Sequence, residues 1–492
     1  MPGGSPSSAS AVTNRVAVPL VLASVGLVVV VGALGTSAAV PPLNPGPSAR
    51  AASPSLVTGL LAAAVLLGAA GSLLGLQALA RGWAPRPGRL LAVGVVAVLA
   101  VLVVAPVGSA DVGSYAAYGR LAATGVDPYL TVPAARPNDP VVAAAEDPWR
   151  SAPSVYGPLA TAEQALVSHL TGSSRAATIR GLAVAAALAF LATGLLLDRL
   201  CRGDASRQRR AALLWTANPV LLLELVAGAH LDGLLALLVL AGVAAARPLV
   251  SGVLLGLAGS VKASAALPAL GMAAVLRHER QRLTGWAGAG LVTVTAAYLI
   301  VGGAQALGPA ARAGRMVSGG TPWRLVASGM ERLLDPGAAR TIVMLAAAAL
   351  TVVLARRLHR RLAPALQEAQ PAVSARVSAA ARGAFATSLA WALLAPYALP
   401  WYDATAWVLL GLIGATRLDG VLLAHTSMLA LAYLPGRTLP LPTELHAALT
   451  ALRSGVCPAV LLVLLLIVFG LPIPRGRRTA RAVTGTPRAV DA

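Results

Sequence analysis

The chain gathers its apolar residues into long runs separated by short clusters of arginine, and that pattern leaves few folds open. Runs lie near 16–38, 56–80, 90–106, 176–197, 211–226, 232–246, 249–261, 264–276, 285–303, 339–355, 383–398, 402–416, 420–434 and 454–472. A helix needs about 20 apolar residues to cross the hydrocarbon of a bilayer, and fewer where neighbouring protein shields it. The pattern predicts an all-α polytopic membrane protein, a bundle of about 13–14 transmembrane or half-membrane helices. The short pairs within 211–246 and 249–276 read as half-helices or re-entrant hairpins. The first run is longer than the roughly 7–15 residues of a signal-peptide core and reads as an anchor. Composition supports the class: 57% of residues are hydrophobic and only 12% charged, against roughly 25% charged in a soluble globule.

The formal net charge of +21 could suggest a nucleic-acid partner. Its distribution points to lipid topology instead. With the N-terminus placed inside, 25 of the 38 arginines fall on the inner side, as the positive-inside rule requires. Both termini are then cytoplasmic. The large first outer loop spans 107–175 and a second spans 304–338. Tails 1–15 and 475–492 read as disordered, flanking a membrane domain over 16–474. Cys201 and Cys457 fall at opposite ends of spans, so no disulfide is expected.

The first outer loop concentrates the chemistry. Asp111 follows directly on an apolar run, with Tyr115 and Tyr118 four and seven residues on, on the same face of a helix. Tyr129, Trp149 and Tyr156 follow among Pro and Gly, which fix the backbone. Five of the chain's 19 aromatics thus sit in one loop. Asp111 suits either a helix cap or a general base. The aromatics suit either an interfacial belt or stacking platforms for sugar rings.

Deeper in the chain, Asn218-Pro219 breaks an apolar run, with Asn218 read as the cap of the new helix. Glu224, His230 and Asp232 are polar residues near the outer end of that span, where such groups are paired or functional; their spacing is not diagnostic of a metal site. Lys262 is the only lysine. It sits at a break between two short apolar stretches, where a compact ammonium suits a lipid-linked phosphate; snorkelling or pairing with Glu224 or Asp232 would also account for it. Arg324, with Arg312, Arg315 and Trp323, forms a basic strip suited to phosphate, glycan or anionic lipid heads. Trp401 and Tyr402 stand at another membrane boundary.

Taken in order, Asp111 with Ser114-Tyr115 and Gly119, Asp127-Pro-Tyr129, Tyr156-Gly-Pro158, Asn218-Pro219, Gly228-Ala-His230 with Asp232, Val261-Lys-Ala263, and Pro396-Tyr397 with Pro400-Trp-Tyr402 form a pattern. It resembles the actinobacterial polyprenol-phosphate-mannose-dependent α-(1→6)-mannosyltransferases, glycosyltransferases of the GT-C fold. This chain departs from that family's usual pattern at Leu231 and Asp403. The resemblance implies a polyprenyl-phosphate-mannose donor, an α-(1→6)-mannan acceptor, a role in lipomannan or lipoarabinomannan assembly, and catalysis on the outer face of the plasma membrane. It implies no required cofactor and leaves room for a divalent cation. An inverting transfer needs a base, for which Asp111 is the candidate, and a cation for the departing phosphate, for which Lys262 is the candidate. A GT-C transferase for another polyprenyl-phosphate sugar, such as arabinose, fits the same residues. A lipid-linked sugar transporter or flippase would instead call for mid-membrane charges and an internal repeat.

Overall fold

The computed structural model describes residues 8–44, 51–362 and 375–470. The tail predicted over 475–492 and residues 1–7 of the tail predicted over 1–15 lie outside them; residues 8–15, read from sequence as disordered, instead form the first turns of a helix. Among the described residues every regular element is helical. The bundle comprises α1 (Ser8–Ala33), α2 (Pro54–Ala80), α3 (Pro87–Val103), α4 (Asp111–Ala123), α5 (Pro158–Thr171), α6 (Arg175–Leu200), α7 (Ala205–Leu214), α8 (Pro219–Ala227), α9 (Asp232–Ala244), α10 (Pro248–Val261), α11 (Ala263–Leu276), α12 (Arg280–Gly302), α13 (Leu307–Ala313), α14 (Pro322–Met330), α15 (Pro336–Leu362), α16 (Ala375–Leu394), α17 (Ala404–Leu412), α18 (Leu418–Tyr433) and α19 (Thr443–Gly470).

Seven of these are long and apolar enough to cross a membrane: α2, α6, α12, α15, α16, α19 and the apolar part of α1. The bent pair α7 and α8 makes an eighth if it is one span. Five shorter apolar helices, α3, α9, α10, α11 and α18, fill the places where sequence predicted short spans. The bend between α7 and α8 is the expected Asn218-Pro219 break. Asn218 Oδ1 accepts from the amides of Val220 (3.1 Å) and Leu221 (3.3 Å), and its Nδ2 donates to Leu214 O (3.3 Å). The side chain thereby satisfies backbone groups that the proline would otherwise orphan.

Small residues let the spans touch. Gly271 of α11 and Gly383 of α16 pack backbone against backbone, and Gly252 and Gly256 of α10 do the same against α12. In a medium where hydrophobic burial gives helices no preference for one another, such close packing drives their association.

The connecting segments sort into two layers. At one end, Arg209 Nε donates to Pro85 O (2.7 Å), Arg207 to Leu412 O (3.4 Å), and Arg376 to Ala246 O. Arg210 forms a buried two-point pair with Asp419 (2.7 and 3.0 Å) and also donates to Leu410 O and Ile413 O. At the other end, the amides of Val107, Gly108 and Ala110 reach Ala227 O, Ala39 O and Gly436 O, and Ser318 N–H reaches Pro396 O. Among the described residues, the arginine-assigned segments around 85, 207–210, 246, 376 and 410–419 thus meet at one end. The segments around 39, 107–110, 227, 318, 396 and 436 meet at the opposite end, which carries the active-site candidates. Cys201 and Cys457 are free and buried.

Candidate active site

Asp111 opens α4 where residues 107–110 are pinned by three other segments. Its own amide donates to Ser109 Oγ (3.1 Å). Gly436, at φ +102°, lies so close to Gly108 that an added Cβ would fall 2.1 Å from Gly108 O. Only glycine tolerates both that dihedral and that approach. The Asp111 side chain is 11% exposed and its carboxyl faces His230, whose Nδ1 lies 3.9 Å from Asp111 Oδ2 and 3.2 Å from the Tyr115 hydroxyl. Burial pushes the Asp111 carboxyl up to about 7; the Lys262 ammonium opposes that shift and the Asp232 carboxylate adds to it.

Lys262 ends α10 in extended backbone (φ −157°, ψ 135°) and is drawn towards Asp232 at the start of α9. Its Nζ donates to Asp232 Oδ1 at 2.9 Å and Oδ2 at 3.2 Å, and stands 3.5 Å over the Tyr402 ring. The loop bearing Tyr156 is laid directly on this break. Gly157 N–H donates to Val261 O (3.0 Å), and a Cβ on Gly157 would sit 2.2 Å from Ser260 O. Tyr402 and Trp401 come from a 3₁₀ turn, Pro400–Asp403. Trp401 stacks on His230, with ring centroids 3.5 Å apart and planes 15° from parallel.

These groups border one cavity of about 270 Å³. Asp111, Tyr115, Trp149, Tyr156, Lys262, Trp401 and Tyr402, all proposed from sequence, line it together. His230 and Asp232 stand directly behind them, bonded to Tyr115 and Lys262. The remaining candidates lie outside it. The Tyr118 hydroxyl donates to the carbonyls of Ala152 (2.9 Å) and Trp149 (3.2 Å), holding the loop that carries Trp149. Tyr129 is buried against Thr161 (2.7 Å). Arg324 is exposed on α14. Glu224 is buried in a π-helical stretch of α8 and interacts with Asp403, not with His230 or Asp232.

Four further aromatics line the cavity: Tyr298, Trp391, Tyr397 and Tyr433, so nine of the chain's 19 border it. Sequence had placed Tyr397 only within the family pattern and missed the other three; Tyr397 and Tyr433 pack against Tyr402 and Trp401. Leu267, Ala310, Ala313, Met316 and Met344 extend the cavity along an apolar flank. These residues are widely separated in sequence and lie in apolar runs or at their ends, where an aromatic is unremarkable. Among the described residues, no three His, Cys, Asp or Glu side chains gather as metal ligands.

A profile described as "Alpha-(1->6)-mannopyranosyltransferase, N-terminal domain" matches residues 20–279, more than half of the chain. The chain belongs to that family. Among curated proteins it is similar to alpha-(1->6)-mannopyranosyltransferase A of Corynebacterium glutamicum, 28% identical over 173 residues, covering 35% of each chain. It is also similar to the B enzyme of the same organism, 28% identical over 27% of this chain and 23% of the relative. A probable alpha-(1->6)-mannopyranosyltransferase of Mycolicibacterium smegmatis is 33% identical over 29% of this chain and 26% of its own length. The chain thus matches only about a quarter to a third of the length of these relatives. No solved structure matches it. The matched family region contains Asp111, His230, Asp232 and Lys262; the turn carrying Trp401 and Tyr402 lies beyond it.

Proposed function

We propose that the protein is an integral membrane mannosyltransferase that moves mannose from a polyprenyl-phosphate carrier to an α-(1→6)-mannan acceptor. Family membership supports the sugar and the linkage. One observation carries the rest: a single cavity holds a buried carboxylate, the chain's only lysine and nine aromatic side chains, and continues along an apolar flank. Aromatic faces suit the C–H faces of sugars, the ammonium suits a phosphate, and the flank of Leu267, Met316 and Met344 suits an isoprenoid chain. A soluble sugar nucleotide would have no use for that flank.

In this reading the acceptor hydroxyl oxygen attacks the anomeric carbon as the bond from that carbon to the phosphate oxygen breaks. The phosphate leaves with the bonding electrons, and the hydroxyl proton passes to Asp111. The attack comes from the face opposite the phosphate, so a β-linked donor gives an α-linked product. Lys262 meets the charge that grows on the phosphate, the point at which a preorganised cation accelerates the step. A carboxyl with a pKa near 7 is matched to its task, since it can both take and release a proton at neutral pH. The reading needs no bound cofactor.

The arginine-bearing end of the bundle faces the cytoplasm in this proposal and the cavity opens on the outer face of the plasma membrane, placing the enzyme in lipomannan or lipoarabinomannan assembly. Purified protein incubated with polyprenyl-phosphate-mannose and a short α-(1→6)-mannoside, followed by linkage analysis, tests it. An α-(1→6)-extended product that disappears in Asp111→Asn supports the assignment. Extension from polyprenyl-phosphate-arabinose in place of mannose would overturn the choice of sugar.

A further inference from the structure

Asp403 lines the cavity, yet no step above uses it. Only 1% of it is exposed, and one of its two oxygens is fully committed. Oδ2 accepts from His425 Nδ1 at 2.8 Å and from Thr426 Oγ1 at 2.7 Å, both on α18. Thr426 Oγ1 in turn accepts from Trp407 Nε1 of α17 at 2.8 Å. Among the described residues, Oδ1 has no hydrogen-bond partner. Its hydrogen-bond partners are a hydroxyl and an imidazole, and the nearby Glu224 carboxyl interacts with it electrostatically. A carboxylate held rigid through one oxygen and left without a protein donor at the other offers a fixed acceptor to a donor that enters the cavity.

The surroundings say what that donor is. The two residues before Asp403 are Trp401, stacked on His230, and Tyr402, beneath Lys262. Tyr397 and Tyr433 line the same cavity. A rigid carboxylate oxygen beside aromatic rings is a receptor for a neutral hydroxyl-bearing ring.

We propose that Asp403 is a specificity-determining binding residue, whose Oδ1 accepts a hydrogen bond from a pyranose hydroxyl in the cavity while His425 and Thr426 hold the carboxylate in place. The inference rests on the mannosyltransferase reading for the sugar's identity only. The hydroxyl can belong to the donor sugar or to the acceptor sugar, and the experiment separates the two.

The test measures binding through intrinsic tryptophan fluorescence, with Trp401 adjacent to the group in question. Methyl α-mannoside and a set of singly deoxygenated analogues are titrated against the full-length protein in detergent, and polyprenyl-phosphate-mannose and its deoxy forms are titrated separately. Hydrogen bonds to charged groups are worth about 1.5–3 kcal/mol. One deoxy analogue of one series is therefore expected to bind roughly 10–100-fold more weakly than its parent. In Asp403→Asn the parent weakens by a similar factor and that analogue weakens no further, because the bond it lacks is already gone. The series in which this happens identifies donor or acceptor. Thr426→Val, which frees Oδ2 of one tether and leaves the carboxylate, weakens the same parent by a smaller factor. If the deoxy penalties are the same in Asp403→Asn as in the wild type, the proposal fails, and Asp403 only holds α18 to the turn. Should the wild type bind mannosides with the predicted pattern and transfer none, the mannosyltransferase reading fails and the role of Asp403 stands.

Discussion

Lys262 Nζ lies 2.9 Å from Asp232 Oδ1, so the one ammonium of the chain is already paired before any phosphate arrives. The pair is well shielded: the lysine side chain is 23% exposed and the aspartate 4%. Removing one partner of such a pair strands the other charge, at a cost of about 3–5 kcal/mol. Lys262→Ala is therefore expected to lower the thermal midpoint in detergent sharply and to abolish transfer. The double variant Lys262→Ala with Asp232→Ala recovers most of the lost stability and none of the activity. Recovery of transfer in the double variant would show that the cation serves only to neutralise Asp232.

The pH dependence follows from Asp111. Burial favours its neutral form, so below about pH 7 the carboxyl holds a proton and cannot take another. Above that pH it is the carboxylate that the reaction requires. Transfer rate should rise through a midpoint near 7, and Asp111→Asn should lose about 10²–10⁴-fold above that midpoint and progressively less below it. The neighbours move the midpoint in opposite directions. Asp232 raises the Asp111 pKa, so Asp232→Asn shifts the midpoint down. Lys262 lowers it, so any residual activity of Lys262→Ala has its midpoint shifted up. A profile flat from pH 5 to 9 in the wild type would remove Asp111 from the role of base.

Gly157 tests whether the loop must rest on the α10 break. A methyl there would meet Ser260 O at 2.2 Å, and the backbone bond from Gly157 N–H to Val261 O would have to lengthen. Overpacking of this kind costs typically about 1–3 kcal/mol. Gly157→Ala should shift Tyr156 and Lys262 apart, lowering transfer with a moderate loss of stability. Gly125→Ala has no atom within 4 Å of the new methyl but sits at φ +75°; it controls for backbone strain alone and should lose stability without the matching loss of rate.

How much of this was legible in the sequence depends on what each feature rests on. The spans were readable because an apolar run is a local property, and the sorting of the connecting segments into two groups because arginine placement is local too. Asn218 was readable as a cap because Pro219 adjoins it. The grouping of Glu224 with His230 and Asp232 failed because α8 adopts a π-helical stretch over Leu222–Ala227, which changes the register of the side chains. Tyr118 and Tyr129 carry the same sequence signal as Tyr115 and Tyr156. Which of the four reaches the cavity is settled by distant partners: Thr161 takes up Tyr129 and the Trp149–Ala152 backbone takes up Tyr118. Asp403 adjoins the recognised Trp401-Tyr402, yet its bonds to His425 and Thr426 join different helices and leave no trace in local pattern.

Sidedness itself can be measured. Both native cysteines are buried, so a membrane-impermeant maleimide should find little background in intact cells. Arg136 is exposed in the 107–175 loop and Arg202 is exposed at the opposite end of the bundle. Arg136→Cys should be labelled from outside, and Arg202→Cys only after the cells are opened. The reverse pattern would put the cavity in the cytoplasm and defeat the proposed extracytoplasmic transfer.

A buried ion pair clamps the loop that carries Trp149. Arg437 pairs with Glu146 through Nε (2.9 and 3.0 Å) and its terminal nitrogen (2.7 Å), and also donates to Val40 O (3.1 Å) and Ser37 O. The pair is largely buried, with the arginine side chain 8% exposed. It ties three segments together: the one that precedes α2, the one that follows α18, and the loop carrying Trp149 three residues beyond Glu146. Arg437→Ala leaves a carboxylate and two carbonyls without their donor, a loss of about 3–5 kcal/mol for a buried pair. Glu146→Gln keeps an acceptor for the guanidinium and should cost about 1–2 kcal/mol less than that. Because Trp149 lines the cavity and Lys262 does not depend on the clamp, Arg437→Ala should weaken sugar binding more than phosphate-carrier binding and expose the 136–152 segment to limited proteolysis. Equal losses for both ligands, with the loop still protected, would mean that the clamp supports the whole bundle and does not act on the loop.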